Sequence, residues 1–265
     1  MRLSVHLKKA SLVGAFFVSA IFSLQAQALC SVSGPLSQVV VAKVIDGDTL
    51  RLEDGRNVRL IGLNAPEVGR KGRNAEPFAE AAKRRLQALI SASDGHVNLR
   101  LGQDAKDHYG RVLAHVFNER GENLEAALLA EGLGYFVAIA PNTLLASCHR
   151  GAERKARATG KGVWRQSPII AAERLRRGGF AVVKARVDRL EKNRGGIWLE
   201  LKGSMVLKIP YRAAAAFTEY SLSDLPGREI EARGWVIDRK GRADLSRQAR
   251  WMLQVDHPSM LAPLP

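Results

Sequence analysis

Charged and polar side chains near two predicted turns have the types and spacing that phosphate chemistry uses. In the stretch D-G-D-T, the Asp-Gly pair supplies the backbone angles of a two-residue hairpin, which accounts for the first aspartate but not for Asp48. In N-A-P-E, Pro66 keeps the preceding residue extended and so gives Asn64 and Glu67 a defined direction. Asp48 and Asn64 would then offer carboxylate and amide oxygens, a mixture that calcium accepts.

Two arginines complete a candidate catalytic set with Glu67. Arg59 interrupts an aliphatic strand, and Arg111 ends D-H-Y-G-R at the start of another strand. Displacement at a phosphodiester needs guanidinium donors for the phosphoryl oxygens, a base for water and a cation for the developing charge. The alternatives are a solvent-facing or ion-paired Arg59, a solvated turn carboxylate at Asp48, and a helix cap or surface charge at Glu67.

The elements that must position these residues follow from periodicity. Alternating or aliphatic runs predict strands at residues 39–45, 49–52, 56–63, 97–101 and 112–117. Amphipathic runs predict helices at residues 76–90, 124–131 and 142–159. This order favours a mainly β fold of the α+β type, in which a small five-stranded barrel carries three helices.

A second β-rich region follows. Gly160-Lys161-Gly162 and Pro168 indicate a boundary, so we expect domains at residues 29–166 and 167–265. In the second domain, patterns predict strands at residues 181–187, 197–201, 230–237 and 243–246, and a short helix at 212–217. We expect a second small β-barrel, with a sandwich as the alternative.

Residues 1–28 have the pattern of a cleavable secretory signal. A basic start, an apolar run at residues 12–24 too short to span a bilayer, and A-Q-A before Leu29 support this interpretation. The alternative is an N-terminal membrane anchor. No second apolar segment of spanning length follows, so we expect no membrane span in the mature chain and a periplasmic or secreted location.

The two cysteines, Cys30 and Cys148, are a candidate disulfide because export leads to an oxidising compartment. Such a bridge would pin the new N-terminus to a late helix. Two separate buried thiols are the alternative.

The chain is strongly basic. Its net charge of +15 falls to +12 without the three cations of the first 28 residues, and its pI is about 10.3. Nucleic acid is the first partner to consider, with anionic membrane surface or cell-wall polymer as alternatives.

Residues 38–165 resemble the staphylococcal nuclease, or thermonuclease, family. The matching stretches are V-I-D-G-D-T-L, V-R-L-I-G-L-N-A-P-E, D-H-Y-G-R, A-L-L-A-E-G-L and A-E-R-K-A-R-A-T-G-K-G-V-W. The resemblance implies an OB-type five-stranded barrel with three helices. It also implies calcium-dependent cleavage of DNA and RNA by in-line attack of water.

The resemblance further implies roles for the matched residues. Asp48 would be a calcium ligand and Ala65 would lend its carbonyl to the metal. Glu67 would activate or orient water. Arg59 and Arg111 would hold the phosphate.

Three further matched positions concern the metal and the substrate. Tyr109 would contact a substrate phosphate. Asn64 stands where many members have aspartate, so we expect weaker calcium affinity or a changed metal preference. His108 replaces a lysine, which would weaken the hold on a terminal phosphate.

The second domain resembles the small nucleic-acid-binding OB domains appended to some bacterial nucleases. Its basic strands carry Trp198, Tyr211 and Trp235, which would suit stacking on single strands, unless these rings pack the barrel core. The sequence therefore predicts an exported calcium-dependent nuclease with DNA and/or RNA as substrate. The alternatives are a nucleic-acid-binding protein on the same fold without turnover and a structural envelope protein.

Overall fold

The computed structural model describes residues 29–69, 72, 74–240 and 249–265. The predicted signal at residues 1–28 and the predicted strand at 243–246 lie outside these residues. Within the described part of the chain, every helix is too short or too polar to cross a membrane.

The first region is a closed barrel, as predicted. Its strands are β1 (Ser37–Asp46), β2 (Thr49–Leu52), β3 (Asn57–Leu60), β5 (His96–Lys106) and β6 (Val112–Phe117), in the order β1-β2-β3-β6-β5. All neighbours are antiparallel except β3 and β6, which are parallel. Leu50, Val58 and Leu60 point into the core and are at most 1% exposed. Period-two alternation therefore leaves Arg59 on the opposite face.

Three helices accompany this barrel, as predicted: α1 (Ala79–Ser91), α2 (Leu124–Ala130) and α3 (Ala146–Ala158). Helix α1 begins three residues later than expected, because Phe78 has a left-handed backbone (φ 70°) that helical residues do not adopt. The side chain of Asn123 caps α2 by accepting a hydrogen bond from the N–H of Ala126.

The strand predicted at residues 56–63 is interrupted. β3 ends at Leu60, and Gly62 turns the chain with φ 90°, a backbone angle that favours glycine. A Cβ atom on Gly62 would also lie 2.1 Å from Nδ1 of His149. The chain resumes as β4 (Leu63–Asn64), which pairs with β7 (Tyr135–Phe136) instead of the barrel.

The second region is also a barrel. Its strands are β8 (Ile169–Ala171), β9 (Gly179–Asn193), β10 (Gly196–Leu201), β11 (Met205–Ile209), β12 (Glu229–Asp238), β13 (Trp251–Gln254) and β14 (Leu261–Pro263), with the short helix α4 (Tyr211–Ala214). Pairing of β12 with β9 closes the ring β9-β10-β11-β13-β12. The predicted second β-barrel is confirmed, while the domain division at residues 166 and 167 stays a prediction.

Ion pairs join the two regions, and one of them is buried on both sides. Arg233 of β12 donates to both carboxylate oxygens of Glu153 in α3, at 2.8 and 2.6 Å. Glu231 accepts from Arg157 at 2.8 Å and from Arg233 at 3.0 Å. The Arg233 and Glu153 side chains are only 8% and 4% exposed. These pairs tie α3 of the first region to β12 of the second.

The predicted disulfide is confirmed. Cys30 and Cys148 are bonded with their Cα atoms 5.7 Å apart, and the bridge ties the start of the described chain to α3. The carbonyl of Leu29 also accepts a hydrogen bond from the N–H of Asn123, the residue that caps α2.

Candidate active site

The centre of the candidate site is a buried ion pair between Asp48 and Arg59. Asp48 follows the hairpin turn after β1 and is 6% exposed. Its Oδ2 lies 3.0 Å from Nη2 of Arg59 and accepts a 2.8 Å hydrogen bond from the N–H of Ala65. Thr49 pairs with Arg59 in the sheet register, which brings the neighbouring Asp48 to the guanidinium. The solvated-carboxylate interpretation of Asp48 is therefore wrong.

The turn that carries Asp48 packs tightly on the segment that carries Ala65. A Cβ atom on Gly47 would lie 2.6 Å from that of Ala65 and 2.7 Å from that of Ala82, so only glycine fits. Asp46 accepts a 3.1 Å hydrogen bond from the N–H of Asp48, and its carboxyl group contributes to the raised pKa of Asp48. The sequence explained Asp46 only as a turn residue. The D-G-D spacing was the signal that could have placed it in the site.

The electrostatics of this pair of acids suit a cation. Burial raises the pKa of Asp48 to about 7; Arg59 acts in the opposite direction, and Asp46 adds to the rise. The amide oxygen of Asn64 lies 3.4 Å from Nη2 of Arg59, the nitrogen that also contacts Asp48. A divalent cation beside both carboxylates would remove their repulsion. The donor set therefore fits a hard metal ion, with the carbonyl of Ala65 in the adjoining segment.

Arg59 is fixed by the break that ends β3. Its Nη1 donates to the carbonyls of Leu60 and Leu63, at 2.8 and 2.7 Å, and its side chain is 13% exposed. The interpretation of Arg59 as a solvent-facing residue is therefore wrong. The interpretation of Arg59 as half of an ion pair is correct, and its partner is Asp48. The 3.4 Å contact with Asn64 is the longest of its bonds, so it is the first that a phosphate oxygen would displace.

Arg111 is positioned by Asp107, an acid that the sequence analysis gave no role. Asp107 accepts from the N–H of Arg111 at 2.9 Å and from its Nε at 2.7 Å. Partial burial works to raise the pKa of Asp107, but the hydrogen bonds from Arg111 outweigh it and lower that pKa. Arg111 lines an open cleft of about 300 Å³. The other residues of this cleft are Ile45, Asp46, Thr49, Arg51 and Asn57.

Glu67 lies at the exposed end of the same segment, two residues after Ala65. Its backbone is held from both sides by Glu76, which also had no predicted role. The carboxylate of Glu76 accepts from the N–H of Glu67 at 3.0 Å, and the N–H of Glu76 donates to the carbonyl of Glu67 at 2.9 Å. Pro66, which is buried, and Glu76 together fix the backbone direction at Glu67.

The predicted substrate contacts Tyr109 and His108 lie at the tip of the turn before β6. Tyr109 is 74% exposed, and the His108 ring lies 3.7 Å from it between centroids. The guanidinium of Arg111 lies 5.4 Å from the centre of the Tyr109 ring. Exposed rings beside this arginine are available to a ligand in the cleft, whereas Asp48 and Arg59 lie deeper.

A second group of metal-ligating types lies within the first region, buried beside the disulfide. Ligating atoms of His115, Glu125 and His149 are within 4.8 Å of one another. Asn123 connects two of them, because its Oδ1 lies 2.8 Å from Nε2 of His149 and its amide donates to Glu125. Glu125 also accepts from the N–H of Val116 at 3.0 Å. These hydrogen bonds engage both carboxylate oxygens of Glu125 and Nε2 of His149 in a structural network, whereas Nδ1 of each histidine lacks a hydrogen-bond partner.

The aromatic residues predicted for the second barrel separate into two groups. Trp198 and Tyr211 meet at Asn193, since the indole N–H donates to its Oδ1 and the phenol donates to its carbonyl. Trp235 instead packs on Phe180, with ring centroids 5.4 Å apart. Tyr211 and Trp235 are 52% and 42% exposed, so the interpretation of these two rings as barrel core is wrong.

Comparison with known proteins agrees with this geometry. The staphylococcal nuclease homologue family matches residues 57–166, a range that includes Arg59, Asn64, Glu67 and Arg111. The chain is 30% identical over 128 residues to the thermonuclease of Staphylococcus intermedius, which covers 47% of this chain and 74% of the relative.

Two Bacillus subtilis (strain 168) proteins are also similar. Endonuclease YncB is 29% identical over 139 residues, and SPbeta prophage-derived endonuclease YokF is 26% identical over 161 residues. These matches cover 51% and 59% of this chain but only 65% and 52% of the relatives. Given the family match, the closed barrel and the thermonuclease similarity, the chain belongs to the staphylococcal nuclease family.

Proposed function

We propose that this protein is an exported, calcium-dependent nuclease that hydrolyses phosphodiester bonds of DNA and/or RNA by in-line attack of water. The buried Asp48–Arg59 pair carries the proposal, because a buried acid–base pair beside an open cleft lined by Arg51 and Arg111 suits anion binding and metal binding together. The names of the relatives, endonuclease and thermonuclease, support the same class of reaction.

Each residue of the site has a distinct task in this reaction. Arg59 and Arg111 donate hydrogen bonds to the phosphoryl oxygens, and their fixed positions align the phosphate before reaction. The carboxylate of Glu67 takes a proton from the attacking water on the exposed side of the site. Asp107 and Glu76 are positioning residues, since they hold Arg111 and the backbone of Glu67.

Calcium would be held by the carboxylates of Asp48 and Asp46, the amide oxygen of Asn64 and the carbonyl of Ala65. When bound, it supplies positive charge that stabilises the charge developing on the phosphate. Asn64 provides an oxygen without a negative charge, so the proposal includes weaker calcium binding than an aspartate would give.

The test is cleavage of single- and double-stranded DNA and of RNA by the purified mature chain, with calcium and then with a chelator. We expect calcium-dependent shortening of at least one substrate. Glu67→Gln should lower the rate by about 10²–10⁴-fold, because it removes the base without changing size. Glu53→Gln, an exposed glutamate of the same barrel, is the matched control and should cut normally.

The rival function is nucleic-acid binding without turnover, and Asn64 is the observation that favours it. Binding that persists with calcium while no substrate is shortened would select this rival. Restored cutting in Asn64→Asp would then identify the missing negative charge as the reason. Equal rates for Glu67→Gln and Glu53→Gln would move the chemistry to other residues.

A further inference from the structure

The aromatic pair Phe180 and Trp235 lies next to the candidate active site, although it belongs to the second barrel. Tyr135 connects them: its ring centroid lies 5.2 Å from that of Phe180, and Phe180 lies 5.4 Å from Trp235. Tyr135 pairs with Asn64 between β7 and β4. A row of three rings therefore runs from the metal-donor segment onto the second barrel.

The base-activating side of the site is close to the same row. Asn64, the partner of Tyr135, lies three residues before Glu67 on the same segment. Glu76 holds the backbone of Glu67 through its carboxylate. The row therefore begins beside the segment that carries the proposed metal donor and the proposed base.

The outer end of the row is open to solvent. Phe180 and Trp235 are opposite each other in the β9–β12 register, and Trp235 is 42% exposed. Ile237, two residues further on the same face of β12, is also 42% exposed. Arg233, the preceding residue on that face, is buried against Glu153, so the exposed face begins at Trp235.

Positive charge borders this apolar surface. Arg177 is exposed and is followed by Gly178, whose Cβ position would lie 2.8 Å from the carbonyl of Val236, between Trp235 and Ile237. Arg165 is exposed directly after Trp164, which lies 5.7 Å from Tyr135 between ring centroids. Stacking rings beside guanidinium groups suit the bases and the phosphates of one nucleic-acid strand.

We propose that Tyr135, Phe180 and Trp235 form a subsite that stacks unpaired bases, and that the substrate is therefore a single strand leaving the active site across the second barrel. A paired base has both faces covered by its neighbours and cannot stack on these rings without leaving the duplex. The buried pair of Arg233 with Glu153 and the partly exposed pair of Arg157 with Glu231 tie the strand that carries Trp235 to α3 of the first region. This proposal rests on the proposed nuclease function.

Binding is measured on the full mature chain with Glu67→Gln, so that the strand is not cut. Trp235→Ala should weaken binding of a labelled single-stranded oligonucleotide by about fivefold or more, since the variant loses the aromatic face on which a base stacks. Binding of the matching duplex should change less than twofold. Trp235→Phe keeps an aromatic face and should retain most of the affinity, which excludes a folding defect as the cause.

Trp198→Ala is the matched control, because Trp198 belongs to the other aromatic group, under the ammonium of Lys208. It should leave single-strand affinity unchanged. Equal losses in Trp198→Ala and Trp235→Ala, or equal losses for duplex and single strand, would overturn the proposal. Unchanged affinity in Trp235→Ala would do the same and would assign the surface to a protein partner.

A second readout separates this proposal from the proposed function. With Glu67 restored, a dinucleotide too short to reach Trp235 should be cut equally by the wild-type chain and by Trp235→Ala, while a longer single strand at limiting concentration is cut more slowly by the variant. Absence of all cutting would defeat the nuclease function. If the wild-type chain and Trp235→Ala cut the longer single strand at the same rate, as they should the dinucleotide, only the stacking subsite would be defeated.

Discussion

The two barrels have the same strand order but different functional side chains at corresponding positions. In each, the first strand pairs with the second and the fourth, and the third and fifth strands are parallel, as β3–β6 and β11–β13 show. In the first barrel the turn after the first strand holds Asp46 and Asp48. The corresponding turn of the second barrel, after β9, holds Asn193, whose side chain binds an indole and a backbone N–H.

This difference shows that the same barrel fold can place side chains at equivalent positions, while the identity of those side chains decides whether a reaction is possible. The third strand of the first barrel carries Arg59, which is fixed by two carbonyls and by Asp48. The third strand of the second barrel carries Lys208, which lies over the Trp198 ring. The Arg59 arrangement can bind a phosphate beside a metal ion, whereas the Lys208 arrangement is a cation packed over the Trp198 ring.

The largest expected difference between the barrels concerns the disulfide. The Cys30–Cys148 bridge closes a loop of 118 residues within the first region, while the second region contains no cysteine. Cys30→Ser with Cys148→Ser should lower the free energy of unfolding by about 4 to 5 kcal/mol, because the unfolded chain gains conformational freedom. Denaturant unfolding measures this. A reductant should have no further effect on the variant, and equal stabilities of variant and wild type would contradict the prediction.

The junction between the barrels is next. Arg233→Ala leaves the carboxylate of Glu153 buried without its guanidinium, which should cost about 3–5 kcal/mol of stability. Arg189→Ala is the control, because its pair with Glu200 is exposed and should contribute little to stability. Thermal unfolding of both variants tests the comparison. Similar small losses would mean that the barrels are held together by other contacts.

Substitutions of Arg59 and of Lys208, the cations on the third strands of the two barrels, should differ in their effect on cleavage. Arg59→Lys keeps the charge beside Asp48 but loses the planar set of donors, so kcat/KM should fall by about 100-fold. Lys208→Ala should leave cleavage of a dinucleotide unchanged. Steady-state kinetics with circular dichroism as a check of folding decide the matter. A comparable loss in both variants would place catalytic contacts on both barrels.

The smallest effect is a pH dependence specific to the first barrel. Burial, and then the charge of His115, lower the pKa of His149 from 6.5 to about 3. Between pH 6.5 and about 3, His149 is therefore protonated in the unfolded chain but neutral in the folded chain. The stability contributed by neutral His149 is fully present above pH 6.5 and is lost as pH falls from there toward 3, by at most about 1.4 kcal/mol per pH unit.

His149→Gln should reduce the slope of stability against pH in that window, whatever its effect on total stability. His257→Gln is the control in the second region, since His257 is only partly buried and burial lowers its pKa less far. Denaturant unfolding at several pH values measures both slopes. An unchanged slope in His149→Gln would mean that this histidine is protonated in the folded chain.

Much of the fold and part of the site could be predicted from short stretches of sequence. Alternation predicted the strands of the first barrel and β9, β10 and β12 of the second, but it missed β11 and β13. The D-G-D-T turn placed Asp48 at the mouth of a hairpin. The predicted strand at residues 56–63 was partly wrong, because Gly62 breaks it for contact with His149, a residue far along the chain. Periodicity cannot report a requirement that arises only when distant segments pack.

Short stretches of sequence were enough to identify which residues could bind a phosphate and a cation, because residue type and local turns decide chemistry and direction. The packing of distant segments was needed to show that Asp46 acts on Asp48, that Glu76 holds Glu67, and that Phe180 of the second barrel lies next to Tyr135. These contacts depend on how strands register and how two barrels dock. The free energy that favours one packing of the two barrels comes from burial and ion pairing across the whole molecule. No single stretch of sequence contains the residues that make these contacts.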